Sequence, residues 1–221
     1  MQLTVDSGGM PAVTSEPRRP RTKAERSAAT RVRLLDATIE CLVDLGWSGT
    51  STTEVVRRAG VSRGAQVHHY PTKEDLVLAA VEHLCTRRMD EYRAALERLP
   101  ATERTPAASV DLLWSVWSGP TLEAWLELVG ACRTQPALRA RFVEFEHRFF
   151  DAALALFQET QPEMTVDPGF ARLALRFTFC VLDGLAVARL GGIERPELDA
   201  VVEGFKVLTT LVSPSDLGAI E

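Results

Sequence analysis

The sequence is poor in cysteine, and the few it has form no recognisable pattern. Cys41, Cys85, Cys132 and Cys180 lie far apart with no Cys-x-x-Cys pair. That spread fits reduced core thiols better than a disulfide framework or a zinc site. No apolar run approaches the ~20 residues needed to cross a bilayer. Nor does an apolar stretch follow basic residues at the N-terminus, as in a secretory signal. A cytoplasmic protein without a membrane partner is expected. Strand-like alternation and internal repeats are missing as well, so the fold should be all-α. Also missing are a Ser/His/Asp arrangement, a phosphate-binding glycine loop, a paired acidic motif and a metal-ligand spacing. Hence no catalytic residues, no metal and no cofactor are expected, and an enzyme is the weaker reading.

What is present is a globular composition, 46% hydrophobic over 221 residues, with an uneven charge. The net charge is −5, yet residues 18–73 hold 11 Lys/Arg against 5 Asp/Glu, a balance of +6. Residues 74–221 hold 14 against 23, a balance of −9. A basic amino-terminal third on an acidic body suits contact with DNA by one small domain.

The basic third contains Ser51-Thr-Thr-Glu-Val-Val-Arg-Arg-Ala-Gly-Val-Ser-Arg-Gly-Ala-Gln-Val-His-His-Tyr70. Ser51 is placed to cap a helix, with Glu54 completing a Ser-x-x-Glu capping box. Gly60 stops that helix where a left-handed residue is wanted. Ser62 is placed to cap a second short helix from Arg63 to about His69. Helix, three-residue turn and helix make a helix-turn-helix, whose second helix can enter a major groove.

The remaining elements are organised around this unit. Residues 1–22 read as a disordered tail whose end, Arg18-Arg-Pro-Arg-Thr-Lys23, is either a solvated segment or an arm reaching phosphate or the minor groove. A helix over about 24–45 carries Val32, Leu35, Ile39 and Leu42 on one stripe, is stopped by Gly46, and leaves Trp47 to pack against that stripe. Thr72-Lys-Glu-Asp75 opens a helix running to about Leu99, long enough to link a head at 23–71 to a body at 72–221. Helices are expected from about Ala107 to Ser118, from Thr121 to Arg133 and from Pro136 through Leu156, with a loop from Gln161-Pro162 to Pro168. The last two carry the stripes Phe170, Leu173, Phe177, Val181, Leu185, Ala188 and Leu198, Val201, Phe205, Leu208, Val212. Their apolar surface is wide enough to pack on the body and on a second copy.

The run Gly46-Trp47, Thr52-Thr53-Glu54, Ala59-Gly60-Val61-Ser62-Arg63-Gly64, His69-Tyr70 and Lys73-Glu74-Asp75-Leu76 resembles the amino-terminal domain of the tetracycline-repressor (TetR) family. Many positions agree at fixed spacing over roughly residues 26–80. The resemblance implies a three-helix DNA-binding head, a larger helical body with about nine helices in all, a homodimer formed by the last two helices, and a variable ligand pocket in the body.

The resemblance also assigns roles. Thr52 and Thr53 open a helix whose N–H groups favour a phosphate, while simple helix capping is compatible with the same residues. Lys73 and His69 match phosphate-contacting positions. Ser62, Arg63, Gly64 and Ala65 lie where a recognition helix puts its base contacts, with Arg63 able to bond guanine O6 and N7 together. His68 and Tyr70 complete the candidate surface. Gln66 either reads adenine or faces a neighbouring helix, and both alternatives stay open. Val67 replaces a frequent tyrosine. In the body, Trp114, Trp117, Trp125, Phe145, Phe149, Arg176, Phe177 and Cys180 are core by spacing and pocket candidates by resemblance. Arg133, Glu144, Glu146, His147 and Asp183 are possible polar members. The expected function is a ligand-responsive repressor. It would bind a pseudo-palindromic double-stranded DNA operator and be released by a largely apolar small-molecule effector. The alternatives are an all-α enzyme with an incidental helix-turn-helix, or a ligand-independent activator.

Overall fold

A computed structural model describes residues 22–160 and 167–211. Among these residues there are nine α-helices, one short 3-10 turn at Ala101–Glu103, and no strand. The helices are α1 (Lys23–Gly49), α2 (Thr52–Ala59), α3 (Arg63–His69), α4 (Lys73–Glu97), α5 (Pro106–Trp117), α6 (Pro120–Cys132), α7 (Pro136–Thr160), α8 (Pro168–Leu190) and α9 (Arg195–Leu211). The all-α reading and the helix order hold. The tail with its arm residues 18–21, the loop 161–166 and Val212 lie outside the described residues.

Local chemistry sets the boundaries. Thr22 caps α1 in a reciprocal box with Glu25, and Thr72 caps α4 in the same way with Asp75. At Ser51 only half of the expected box forms. Its hydroxyl accepts from the Glu54 N–H, but the Glu54 carboxylate turns to Arg57 and Arg58. Two arginines offer that carboxylate charge-assisted bonds, which outcompete one backbone N–H. Gly46 breaks α1 at φ +66°, and Gly60 ends α2 at φ +60°, both in the left-handed region that glycine enters at no steric cost.

The stripe expected on α1 is rotated slightly from the one observed. Leu35 and Leu42 are buried and Ile39 partly so, but Val32 is exposed, and Leu34, Thr38 and Cys41 complete the buried face. A helix wedged between two neighbours buries a broader face than a single 3-4-3 stripe describes. The neighbours are α2 and α4 of the head on one side and α6 of the body on the other.

Helix α4 serves both cores. Leu76 and Ala80 pack with Leu34, Leu35, Cys41, Val55 and Ala59 in the head. Val77, Val81, Leu84 and Cys85 belong to the body core with Trp117, Trp125, Phe149 and Phe179. A boundary at residue 71 therefore falls at a helix start and leaves head-core residues on its body side. Helix α9 is held on α5 by Lys206, whose ammonium meets Asp111 at 2.9 Å.

The stripes expected on α8 and α9 divide between an inner and an outer face. Leu173 and Phe177 are about half exposed, as are Val187 and Leu190. Inward, α8 instead buries Ala171, Leu175, Phe179, Leu182, Leu185 and Ala186. On α9, Leu198, Val202 and Phe205 are buried while Val201, Val207 and Leu208 are exposed. The apolar residues form two faces on each helix, of which one is left open in the single chain.

Candidate nucleic-acid interface and body cavity

The head presents the amino-terminal half of α3 to solvent. Ser62 caps that helix by accepting from the Ala65 N–H at 3.2 Å. Arg63 is exposed and makes no hydrogen bond or ion pair among the described residues, so its five donors are available. Gly64 is exposed too. A Cβ there would come no nearer than 3.9 Å to Ser62 Oγ, so folding does not demand glycine at this position, whereas close approach of another molecule would benefit from it. Ala65 is partly exposed, and Val67 and His68 are exposed.

Gln66 does not join this surface. It is 1% exposed, and its amide Nε2 donates to the Tyr70 carbonyl oxygen. Buried with an amide N–H committed, it holds the end of α3. Packing is therefore the alternative the structure supports. Tyr70 is also partly a core residue, with its ring against the head cluster. Burial pushes its phenol above the usual range and lowers the His69 imidazole.

Thr52 and Thr53 sit in the first turn of α2, Thr53 exposed and Thr52 partly so. Behind them Glu54 is pinned by Arg57 and Arg58, which hold its carboxyl well down, at about 2. Arg58 also reaches Asp44 of α1 at 2.6 Å and so ties α2 to α1.

Lys73 has a second partner that the sequence did not suggest. Its ammonium donates to the Trp47 carbonyl oxygen and lies 4.4 Å from the centre of the Trp47 ring, a cation–π placement. Partial burial lowers its pKa. The Trp47 N–H in turn donates to Glu127 of α6. Trp47 thus packs against the body core rather than only against the α1 stripe. It joins the kink of α1, the start of α4 and the body.

The body holds a small, partly open cavity of about 40 Å³ between α4, α5, α7 and α8, room for a few water molecules as it stands. Of the expected pocket residues, Trp117 and Phe149 line it. Trp125 and Phe145 stand one layer back in the same aromatic cluster, and Trp114 packs at the edge of the core. Phe177 and Cys180 are exposed on the outer face of α8, two positions before and one position after the inward Phe179, and they do not line the cavity. Arg176 pairs with Glu146 and covers the Phe150 ring at 3.8 Å. Arg133, Glu144 and His147 are exposed. Asp183 accepts from Trp117 Nε1 at 3.3 Å, and burial raises its carboxyl above the usual range.

The polar members that sequence reasoning missed are Arg88 and Tyr92, both on α4. The signal was available: Leu84, Arg88, Tyr92 and Leu96 recur every four residues, which puts a cation on an apolar stripe.

Fold and exposed head together define a helical transcriptional regulator with a helix-turn-helix DNA-binding domain. Residues 34–80 match the family described as bacterial regulatory proteins, tetR family. The chain is 29% identical over 198 residues to an uncharacterized HTH-type transcriptional regulator of Mycobacterium tuberculosis, covering 87% of this chain and 97% of that one. A transcriptional regulator from Rhodococcus sp. Rha1 has the same fold, with a TM-score of 0.63 and 19% identity over 82% of this chain and 95% of that one. The multidrug binding protein EbrR, solved with imidazole, is similar at a TM-score of 0.60 and 26% identity over 83% and 94%. The tetR-family match thus lies in the head of the chain, residues 34–80.

Proposed function

We propose that the protein is a ligand-responsive repressor that binds a pseudo-palindromic operator as a homodimer. The observation that carries this reading is the open apolar face of α8 and α9. Leu173, Phe177, Cys180, Gly184 and Val187 repeat at spacings of four and three on α8, and Val201, Gly204 and Leu208 do so on α9. That spacing is the one used by the seam of a packed helix bundle, which supports a second copy as its occupant. Both glycines are exposed in helix interiors, and a Cβ on either would meet nothing within 4 Å. Glycine there costs the isolated helix about 1 kcal/mol relative to alanine, a cost that close approach of a second copy accounts for. A two-fold axis through this face would set two α3 helices on one side of the duplex, one per half-site.

The role of the body follows from its cavity and from EbrR, a relative of similar fold that holds imidazole. An effector that binds the conformer with wrongly spaced heads more tightly than the DNA-competent one releases the operator. Within the head, Arg63 reads a base, while Thr52, Thr53, His69 and Lys73 hold phosphates.

The test is a binding titration on the upstream region of the protein's own gene against a scrambled duplex, over a salt series. Specific binding should weaken steeply with salt as phosphate contacts release counterions. Arg63→Ala should lower specific affinity by 1–3 kcal/mol, roughly five- to 150-fold, and nonspecific affinity by far less. Equal losses on both duplexes would remove Arg63 as a base reader. Absence of specific binding by a folded dimer across a genome-wide fragment selection would remove the repressor reading.

A further inference from the structure

We propose that the body cavity takes a monoanionic ligand, a carboxylate carried on a compact apolar framework, with its charge held by Arg88. The inference rests on reading the body as an effector domain and specifies what that domain recognises. Leu113, Val116, Leu156, Leu175, Phe149 and Phe179 give the cavity an almost wholly apolar wall. Among the described residues, Arg88 is the one charged side chain on that wall. Its side chain is 23% exposed, so its charge sits largely inside the protein.

The guanidinium is held in place without being used up. Nε donates to Thr121 Oγ1 of α6 at 2.7 Å, and Nη1 donates to Glu91. The Nη2 edge makes no hydrogen bond among the described residues. A fork oriented by two partners, with its end free beside an apolar cavity, is suited to a carboxylate. Tyr92, whose hydroxyl is hydrogen-bonded to Ser109, supplies a second polar group on the same helix.

Asp183 is the competing group, because it would favour a cationic ligand. It does not line the cavity. Its Oδ1 faces Trp117 Nε1, Arg176 offsets it, and Glu146 adds a like charge. Glu91, the carboxylate paired with Arg88, is likewise absent from the lining, so the one charge on the cavity wall itself is positive. The anion also enters at a joint, since Arg88 stands on the helix shared with the head and Thr121 begins the helix whose Glu127 seats Trp47. The cavity must widen to admit any such ligand, and the aromatic wall of Trp117, Phe149 and Phe179 favours a ring over a long chain.

The experiment uses the full-length protein and three probes of one shape: para-tert-butylbenzoate, para-tert-butylbenzamide and para-tert-butylbenzylammonium. Calorimetry gives each affinity, and operator release is followed with the same preparation. The benzoate should bind about tenfold or more tightly than the amide, with the ammonium weakest. Arg88→Met should abolish the preference for benzoate over amide. Arg88→Lys, which keeps the charge and loses the fork, should retain part of it. Amide or ammonium binding as tightly as benzoate, an undiminished preference in Arg88→Met, or no binding of the benzoate would each overturn the inference. Comparison of the probes on the native chain needs no variant to fold. If the unliganded protein binds its operator and the amide or ammonium releases it, the repressor reading stands and only the anion assignment falls. If the protein binds no operator, it is the repressor reading that fails.

Discussion

Gly184 offers a test in which one substitution should move two quantities in opposite directions. It lies in the interior of α8, exposed, where a Cβ would meet nothing within 4 Å. In the single chain Gly184→Leu should therefore be free of clashes and gain about 0.8 kcal/mol of helix propensity. At a two-fold seam the same side chain falls between two helices. Overpacking a closely packed site costs about 1–3 kcal/mol, and symmetry counts it twice. The dimer should lose about 2–6 kcal/mol, a roughly thirtyfold or greater rise in its dissociation constant. Sedimentation velocity over a dilution series reads the association, and urea unfolding below the dissociation constant reads the protomer. Gly130→Ala is the control, because Gly130 is also an exposed helical glycine with open space but lies on α6, away from the seam. It should stabilise the chain and leave association unchanged. A dissociation constant for Gly184→Leu within about threefold of the parent, alongside the expected gain in protomer stability, would refute the seam.

Three further predictions bear on the head, its joint to the body and the interior. Gln66→Leu should lower stability by about 1–3 kcal/mol, because the Tyr70 carbonyl loses its donor. It should leave the base preference of the operator unchanged, and a selection experiment showing one altered position would restore Gln66 as a reader. Glu127→Ala should cost about 1–2 kcal/mol by removing the acceptor of the Trp47 N–H, read as a drop of about 5 °C in the melting temperature; no change would mean that packing alone holds the joint. For Asp183 the carboxyl is raised by burial, so its contribution to stability is present at low pH and is lost as pH rises through the native value. Asp183→Asn should accordingly be more stable than the parent near pH 8, with the gap closing below about pH 4. An unchanged gap across that range would show that the effect is not protonation.

The head was legible because its signals are local. Thr72 and Asp75 make a capping box within four residues, Gly60 needs only its own backbone, and Ser62 caps its own helix. Where a residue's role depended on a distant segment, the reading failed or stayed open. Gln66 is polar in composition and core in position because α1 and α2 pack against its helix. Phe177 and Phe179 are both aromatic residues on an apolar helix, and only the rotation of α8 against α5 and α7 separates the outward from the inward one. The stripe through Phe170, Leu173 and Phe177 is real as a pattern, yet it mixes a partly buried residue with two that face outward. A helix with two apolar faces carries two overlapping periods, and hydrophobicity alone does not say which face is filled by the same chain. Arg88 went unread for the opposite reason, since a single arginine in a long charged helix looks like surface even where Leu84, Tyr92 and Leu96 share its stripe.

These points converge on α4. Its first turn carries Lys73, the phosphate anchor expected from the family resemblance, yet that ammonium already rests on Trp47. Farther along the same helix, in the body, Arg88 and Tyr92 face the cavity. Between them Leu76 and Ala80 grip the head while Val77 and Val81 grip the body. A rigid helix that contributes to both cores cannot shift at one end without straining the other, because closely packed interiors do not deform continuously. Glu127 ties a second helix to the same tryptophan, so α4 and α6 report on the body at one residue. The chain needs no dedicated relay: the side chains that fix the head's orientation are those whose neighbours line the cavity.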